Sequence, residues 1–197
     1  MLYALDIEST GLNPGESKMV SVAVAAPGES MVFVSDNESS LFSDLTAWFK
    51  NPQRERGTIV TWNGSGFDWP YLLTRAQAVG ADEFLAALTI RQHDERMPVY
   101  QPIAGHTGGY AVSFAGFDHA DIMRPWKPWS KEQGISNSLK SVAKAKGIEV
   151  IEVDRTKIDL LSRAELVAYN ISDVAATLTL AEQLGDGINP WLDSRLL

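Results

Sequence analysis

Residues 1–9, Met-Leu-Tyr-Ala-Leu-Asp-Ile-Glu-Ser, decide how the whole chain is read. An apolar run ends on two acids spaced two apart, Asp6 and Glu8. On a β-strand, side chains two apart share a face, with their backbones about 6.6 Å apart. Both carboxylates are then close enough to reach one ion. The apolar residues before them read as buried, so the acids fall at the strand's C-terminal end. Open α/β sheets place their sites outside such ends. An isolated D-x-E also has a plainer reading, a strand entering the polar turn STG.

Three residues downstream bear on that choice. Asp68 follows the turn in WNGSGFDWP, and Asp173 lies in LVAYNISDVAATL, which reads as a helix. Tyr169 sits four residues before Asp173, on the same helix face and about 6 Å away along the axis. Each has a structural alternative. Asp68 suits a helix cap. Asn63 and Gly64 suit a turn, and Phe67 and Tyr169 suit a core. Four oxygen ligands from three segments meet only if the fold brings them together. A cluster of that kind demands cations, because packed like charges raise one another's pKa.

At 197 residues the chain is long enough for one good core. Its 45% hydrophobic and 21% charged residues are ordinary for a soluble globular protein. No apolar stretch reaches membrane-spanning length, and no basic region precedes an apolar run at the N-terminus. The chain is expected to be intracellular, cytoplasmic or nucleoid-associated. Cysteine is absent, which excludes disulfides, Cys-ligated zinc and a thiol nucleophile. A net charge of −8 is unlike that of a nonspecific basic binder. It still allows a nucleic-acid substrate, since a metal-filled acidic site is locally positive.

Apolar alternation predicts strands over LYALDI, KMVSVAVAA, SMVFVS and GTIVTW, with a helix over 41–49 before the last of these. A second helix begins at DWPYLL, with Asp68 as its N-cap and Gly80 as its stop. Residues 88–133 are rich in Pro and Gly. They read as an irregular loop or hairpin insertion, a surface region containing the strand-like YAVSFAGFDHADIM. SNSLKSVAKAKG predicts a helix closed by Gly147, with Lys140, Lys144 and Lys146 on its solvated face. IEVIEV is a short strand or a link, and a long helix covers 163–184. The expected architecture is one α/β domain over 1–197, a mixed central sheet flanked by helices. The histidines at 93, 106 and 119 do not match a compact zinc motif and read as surface or structural residues.

DIEST, WNGSGFDWPYL and YNISD, in that order, resemble the motifs of the DEDD-type 3′-5′ exonucleases of the ribonuclease H-like superfamily. The similarity is to the tyrosine-bearing subclass, found in proofreading domains of family B DNA polymerases and their stand-alone relatives. It runs over most of the chain, but not over the loop around 92–110. The histidine-bearing subclass would place its histidine at position 168, which is alanine here, whereas Tyr169 occupies the tyrosine position.

The resemblance implies a ribonuclease H-like fold and two divalent cations, Mg²⁺ with Mn²⁺ as a substitute. Asp6 would bridge both ions, Glu8 and Asp173 would complete the first set, and Asp68 would hold the second ion through water. Tyr169 would orient the attacking water. The implied reaction releases nucleoside 5′-monophosphates from the 3′ end of single-stranded or frayed nucleic acid, with DNA favoured and RNA as the alternative. Ser9, Thr10, Leu12, Asn63 and Phe67 would meet the terminal nucleotides. A stand-alone nuclease, a component of a replication or repair assembly with a protein partner there, and a domain of a longer protein are all open readings. Arg124, Trp126 and Lys127, continued by Trp129 and Lys131, have the composition of phosphate contacts with base stacking. The same composition suits a proline-stiffened loop whose tryptophans cover the core.

Two rival readings are weaker. DIEST superficially resembles the D-x-D-x-T of aspartyl-nucleophile phosphatases, but its second acid is Glu, and a clear later lysine and paired acids are missing. A catalytically silent nucleic-acid-binding or structural subunit would be favoured by loss of a carboxylate, yet all four are present.

Overall fold

The computed structural model describes residues 1–92 and 109–195. Its centre is a seven-stranded mixed sheet. The chain begins with β1 (Leu2–Ser9), β2 (Met19–Ala26) and β3 (Glu29–Val34), an antiparallel meander. Helix α1 (Glu38–Lys50) crosses to β4 (Thr58–Thr61), which pairs parallel with β1. Helices α2 (Asp68–Val79) and α3 (Asp82–Ala87) follow. Strands β5 (Leu88–Gln92), β6 (Tyr110–Phe114) and β7 (Phe117–Asp121) complete the sheet. Its spatial order is β3-β2-β1-β4-β7-β6-β5, with β7 parallel to β4. Helices α4 (Met123–Glu132), α5 (Leu139–Ala145) and α6 (Arg163–Leu184) come last, then 3₁₀ turns over Gly185–Trp191 and Asp193–Arg195. This is the α/β, ribonuclease H-like arrangement expected. No helix among the described residues is long and apolar enough to cross a membrane.

Side-chain alternation along β1 explains the two-layered core. Tyr3, Leu5 and Ile7 join a large cluster with α1, α2 and α3, built on Leu41, Phe42, Phe49, Trp69, Leu72 and Phe84. The opposite face is lined with small residues, Ala4, Ala23, Ala25, Val60 and Ala120, packed with Val174, Ala176 and Ala181 of α6. Small side chains on both sides let α6 lie close over β1 and β2. Asp6 and Glu8 follow Ala4 on this same face of β1, so the period of two delivers both acids to the α6 side. The α6 start is fixed by a capping box: Ser162 accepts from the Glu165 amide, and the Glu165 side chain accepts from the Ser162 amide.

Residues 88–133 differ from the expected surface insertion. Their described part supplies three strands of the sheet, and β7 lies inside it between β4 and β6. Tyr110, Val112, Phe114 and Phe117 are fully buried. Short strands joined by a two-residue turn at Ala115 and Gly116, both at positive φ, carry little periodic signal. The segment over Arg124–Trp129 is also helical, although it holds Pro125 and Pro128. His119 is wholly buried, as a structural residue; His93 and His106 lie outside the described residues. IEVIEV is an extended link without strand pairing.

Candidate metal centre and nucleic-acid cleft

Strand β1 and helix α6 build the centre together. Asp6, Glu8 and Asp173 each offer a carboxylate oxygen, and the three oxygens lie within 4.8 Å of one another. Asp6 and Glu8 are half-buried, and Asp173 is nearly covered. They share a cleft of about 700 Å³ with Asp68. A β-bulge between Glu8 and Ser9 shifts the register with β2 beside the acids, from Glu8 opposite Ser21 to Ser9 opposite Met19.

Asp68 enters at the start of α2, after the turn that follows β4. The expected N-cap role is incorrect: Phe67 holds the cap position, Asp68 is the first helical residue, and no side-chain cap bond forms. The Asp68 carboxyl is pushed well above its ordinary range, by burial first and then by the charge of Asp6, while amide hydrogen bonds from Asp68 itself and Ile7 oppose the shift. Asp68 is thus held against β1, close enough to Asp6 to feel its charge.

The turn that delivers Asp68 is rigidly supported. Buried Asp121 accepts from the amides of Asn63 and Ser65 at 2.9 and 3.2 Å and from Met123 at 3.1 Å. Burial pushes its carboxyl upward, countered by Arg124 and His119. His119 bridges Asp193 (2.6 Å) and Thr61 (2.8 Å), and Thr61 Oγ1 accepts the Gly64 amide at 3.1 Å. A Cβ at Gly64 would fall 2.1 Å from that Thr61 oxygen, so glycine is required there. Asn63, at φ 68°, takes the left-handed turn that asparagine tolerates.

Several expected substrate contacts do line the cleft: Ser9, Thr10, Leu12, Asn63, Phe67 and Lys127. Two do not. Trp126 is buried in the α4–α6 core, under the ammonium of Lys146 at 4.7 Å. Arg124 turns inward to the Ser65 hydroxyl at 3.1 Å and to Asp193 at 3.6 Å. Composition could not separate a stacking tryptophan from a packing one. Tyr169 is 1% exposed, packs with Ile158 and Leu166, and is not among the cleft-lining residues.

Sequence reasoning missed two residues. Asn170 donates from Nδ2 to Asp6 at 2.7 Å and accepts from Ser21 at 2.8 Å, which fixes its amide orientation. A polar residue three before Asp173, on the face α6 turns toward the sheet, was the available signal. Lys140 is the second. It is not on a solvated face: its ammonium pairs with Asp173 and lies 4.5 Å from the Tyr169 ring centroid. Lys144, by contrast, meets Glu152 at the exposed surface.

The donor set fits a divalent cation such as Mg²⁺, because every ligand is a carboxylate oxygen. Lys140 supplies the positive charge that such a cluster requires in the metal-free molecule. Lys140→Met is therefore expected to destabilise the metal-free protein by about 3 kcal/mol, since it leaves Asp173 buried and unpaired. Added Mg²⁺ should recover most of the loss. Calorimetry with EDTA and then with Mg²⁺ checks this, and equal losses in both would reject the charge argument.

Comparison with known proteins follows the same architecture. A family profile described as the RNase_H superfamily matches residues 3–162. The family B DNA polymerase from the hyperthermophilic archaeon Pyrobaculum calidifontis is similar in structure, with a TM-score of 0.66 and 23% identity. That similarity covers 93% of this chain and 24% of the polymerase, so the chain spans about a quarter of that protein's length. With a profile match over most of its length and the expected mixed sheet flanked by helices, the chain belongs to the RNase H superfamily.

Proposed function

We propose that residues 1–197 form one 3′-5′ exonuclease domain of the tyrosine-bearing DEDD type. Its substrate is single-stranded or frayed nucleic acid, DNA before RNA, and its products are nucleoside 5′-monophosphates. It would serve with a replication or repair partner. The observation that carries this reading is the convergence of Asp6, Glu8 and Asp173 in one cleft, with Asp68 close enough to feel the charge of Asp6.

Two divalent cations held by Asp6, Glu8, Asp68 and Asp173 would supply a nucleophilic water at neutral pH and neutralise the leaving oxygen. The chain's own groups do the remaining work. Asn170 orients Asp6 through a hydrogen bond that Ser21 fixes from behind. Lys140 keeps a positive charge at the Asp173 side of the cleft, where a phosphate would enter. Leu12, Asn63 and Phe67 offer apolar and polar surface to the terminal nucleotides, and Lys127 offers a charge to the backbone. An intact duplex is a poor fit, since the terminal phosphodiester must reach carboxylates inside the cleft.

The test is digestion of 5′- and 3′-labelled DNA and RNA strands with Mg²⁺, Mn²⁺ or EDTA. The 5′-labelled strand should give a descending ladder, and the 3′-labelled strand should release a labelled mononucleotide first. EDTA should stop both. Internal fragments at the earliest times, release from the 5′ end, or full activity after rigorous removal of divalent ions would overturn the assignment.

A further inference from the structure

We infer that Tyr71, Ser17 and Arg75 are positioning residues for the 3′-terminal nucleotide. They lock the loop between β1 and β2 and so hold Leu12 fixed at the cleft. The inference rests on the exonuclease reading above.

The loop, Thr10 to Lys18, has the sequence TGLNPGESK. Its composition alone would give many conformers. The structure ties it at three levels. At its base, the Thr10 amide donates to the Lys18 carbonyl at 3.0 Å, and the Lys18 amide donates to Thr10 Oγ1 at 3.1 Å. Farther out, the Ser17 hydroxyl lies 2.8 Å from the buried Tyr71 hydroxyl, 3.0 Å from the Gly11 carbonyl and 2.5 Å from the Asn13 carbonyl. Serine has one proton, and both carbonyls can only accept. Tyr71 therefore donates to Ser17, and Ser17 donates onward to the carbonyls. At the tip, Arg75 donates from Nη1 to the Pro14 carbonyl at 2.8 Å. Its other nitrogens grip buried Glu38 at 2.9 and 2.5 Å, and Glu38 also accepts the Met19 amide at 2.8 Å.

Leu12 lies between the two residues whose carbonyls Ser17 takes. It is 65% exposed and lines the cleft. An apolar side chain held in water on a fixed backbone is matched to a planar apolar ligand, and a nucleobase face supplies one. Because the loop is already ordered, a strand binding against Leu12 loses little further chain entropy. Asp6 and Glu8 are held separately, by β1 pairing with β2. Loosening the loop should thus weaken substrate binding and leave the chemistry nearly intact.

The test is a double-mutant cycle on a 5′-labelled single-stranded DNA oligonucleotide with Mg²⁺. It uses wild type, Leu12→Ala, Tyr71→Phe and the double variant. Each single change should raise KM by about 2- to 10-fold, the range for ordering one side chain, with kcat nearly unchanged. The double variant should be no worse than the weaker single one, because the anchor acts through Leu12. Ser17→Ala breaks the same contact from a half-exposed position and should reproduce Tyr71→Phe. A double variant whose KM increase is the product of the single increases would overturn the inference. So would a fall in kcat at constant KM for Tyr71→Phe and Ser17→Ala. Wild-type protein that shortens no strand overturns the exonuclease reading itself, an outcome distinct from either.

Discussion

Asp6→Asn is expected to cut nuclease turnover by about 10³-fold or more, and at the same time to raise the melting temperature of the metal-free protein. Both effects follow from the position of Asp6 among the other acids. Its carboxylate lies within ligand distance of Glu8 and Asp173, and its charge contributes to the upward push on Asp68. Removing one negative charge removes a ligand that the proposed ions share. Without ions, the same change relieves repulsion. The packing survives, because Asn170 presents Nδ2 and an asparagine at position 6 can offer its Oδ1 in return.

The pH dependence has a definite sign. Asp68 holds its proton more tightly when folded than when unfolded. The metal-free protein therefore loses stability as pH rises from the ordinary carboxylate range through the raised value, and the penalty is constant above it. Asp6→Asn removes one cause of the shift, so its advantage should open over that window and persist at neutral pH. At this chain length each kcal/mol is worth about 2–4 °C. Calorimetry in EDTA across pH, with turnover in Mg²⁺ as the second measurement, checks both. A lower melting temperature in EDTA would reject the repulsion argument, and turnover within tenfold of wild type would remove Asp6 from the metal-holding set.

The parts of the centre that were legible in the sequence are those set by one element's own period. Period two on β1 puts Asp6 and Glu8 on one face, and the 3.6-residue repeat of α6 puts Tyr169 and Asp173 on another. What was not legible depends on contacts between elements. Lys140 sits at the edge of a helix whose buried residues are Leu139, Val142 and Ala143, and only the approach of α6 shows that Asp173 is its partner. Strand β7 is five residues long and has no long alternating run, so its place beside β4 follows from the tertiary fold. Asp193 supports the Gly64 turn through His119, which lies 74 residues before it in sequence, a link that no local pattern encodes.

Tyr169→Phe carries the second large expected effect, a fall in kcat of about 10²-fold with metal affinity and fold unchanged. The side chain is 1% exposed, and its ring packs with Ile158 and Leu166 beneath the Lys140 ammonium. Phenylalanine keeps that ring. The cation–π contact and the apolar packing therefore persist, and Lys140 stays against Asp173. Only the hydroxyl is lost. If it orients the attacking water, its removal acts on the chemical step alone and lowers kcat at every Mg²⁺ concentration. A purely structural tyrosine would give the opposite pattern, a small change in melting temperature with turnover intact. Tyr169→Ala separates the two contributions further. It removes the ring as well, so it should also free Lys140 and lower stability by about 3–5 kcal/mol, the usual cost of truncating a buried aromatic side chain. The measurement is kcat across a Mg²⁺ titration, with circular dichroism melts for each variant. Turnover of Tyr169→Phe equal to wild type throughout the titration would make Tyr169 a support for Lys140 and remove it from the reaction.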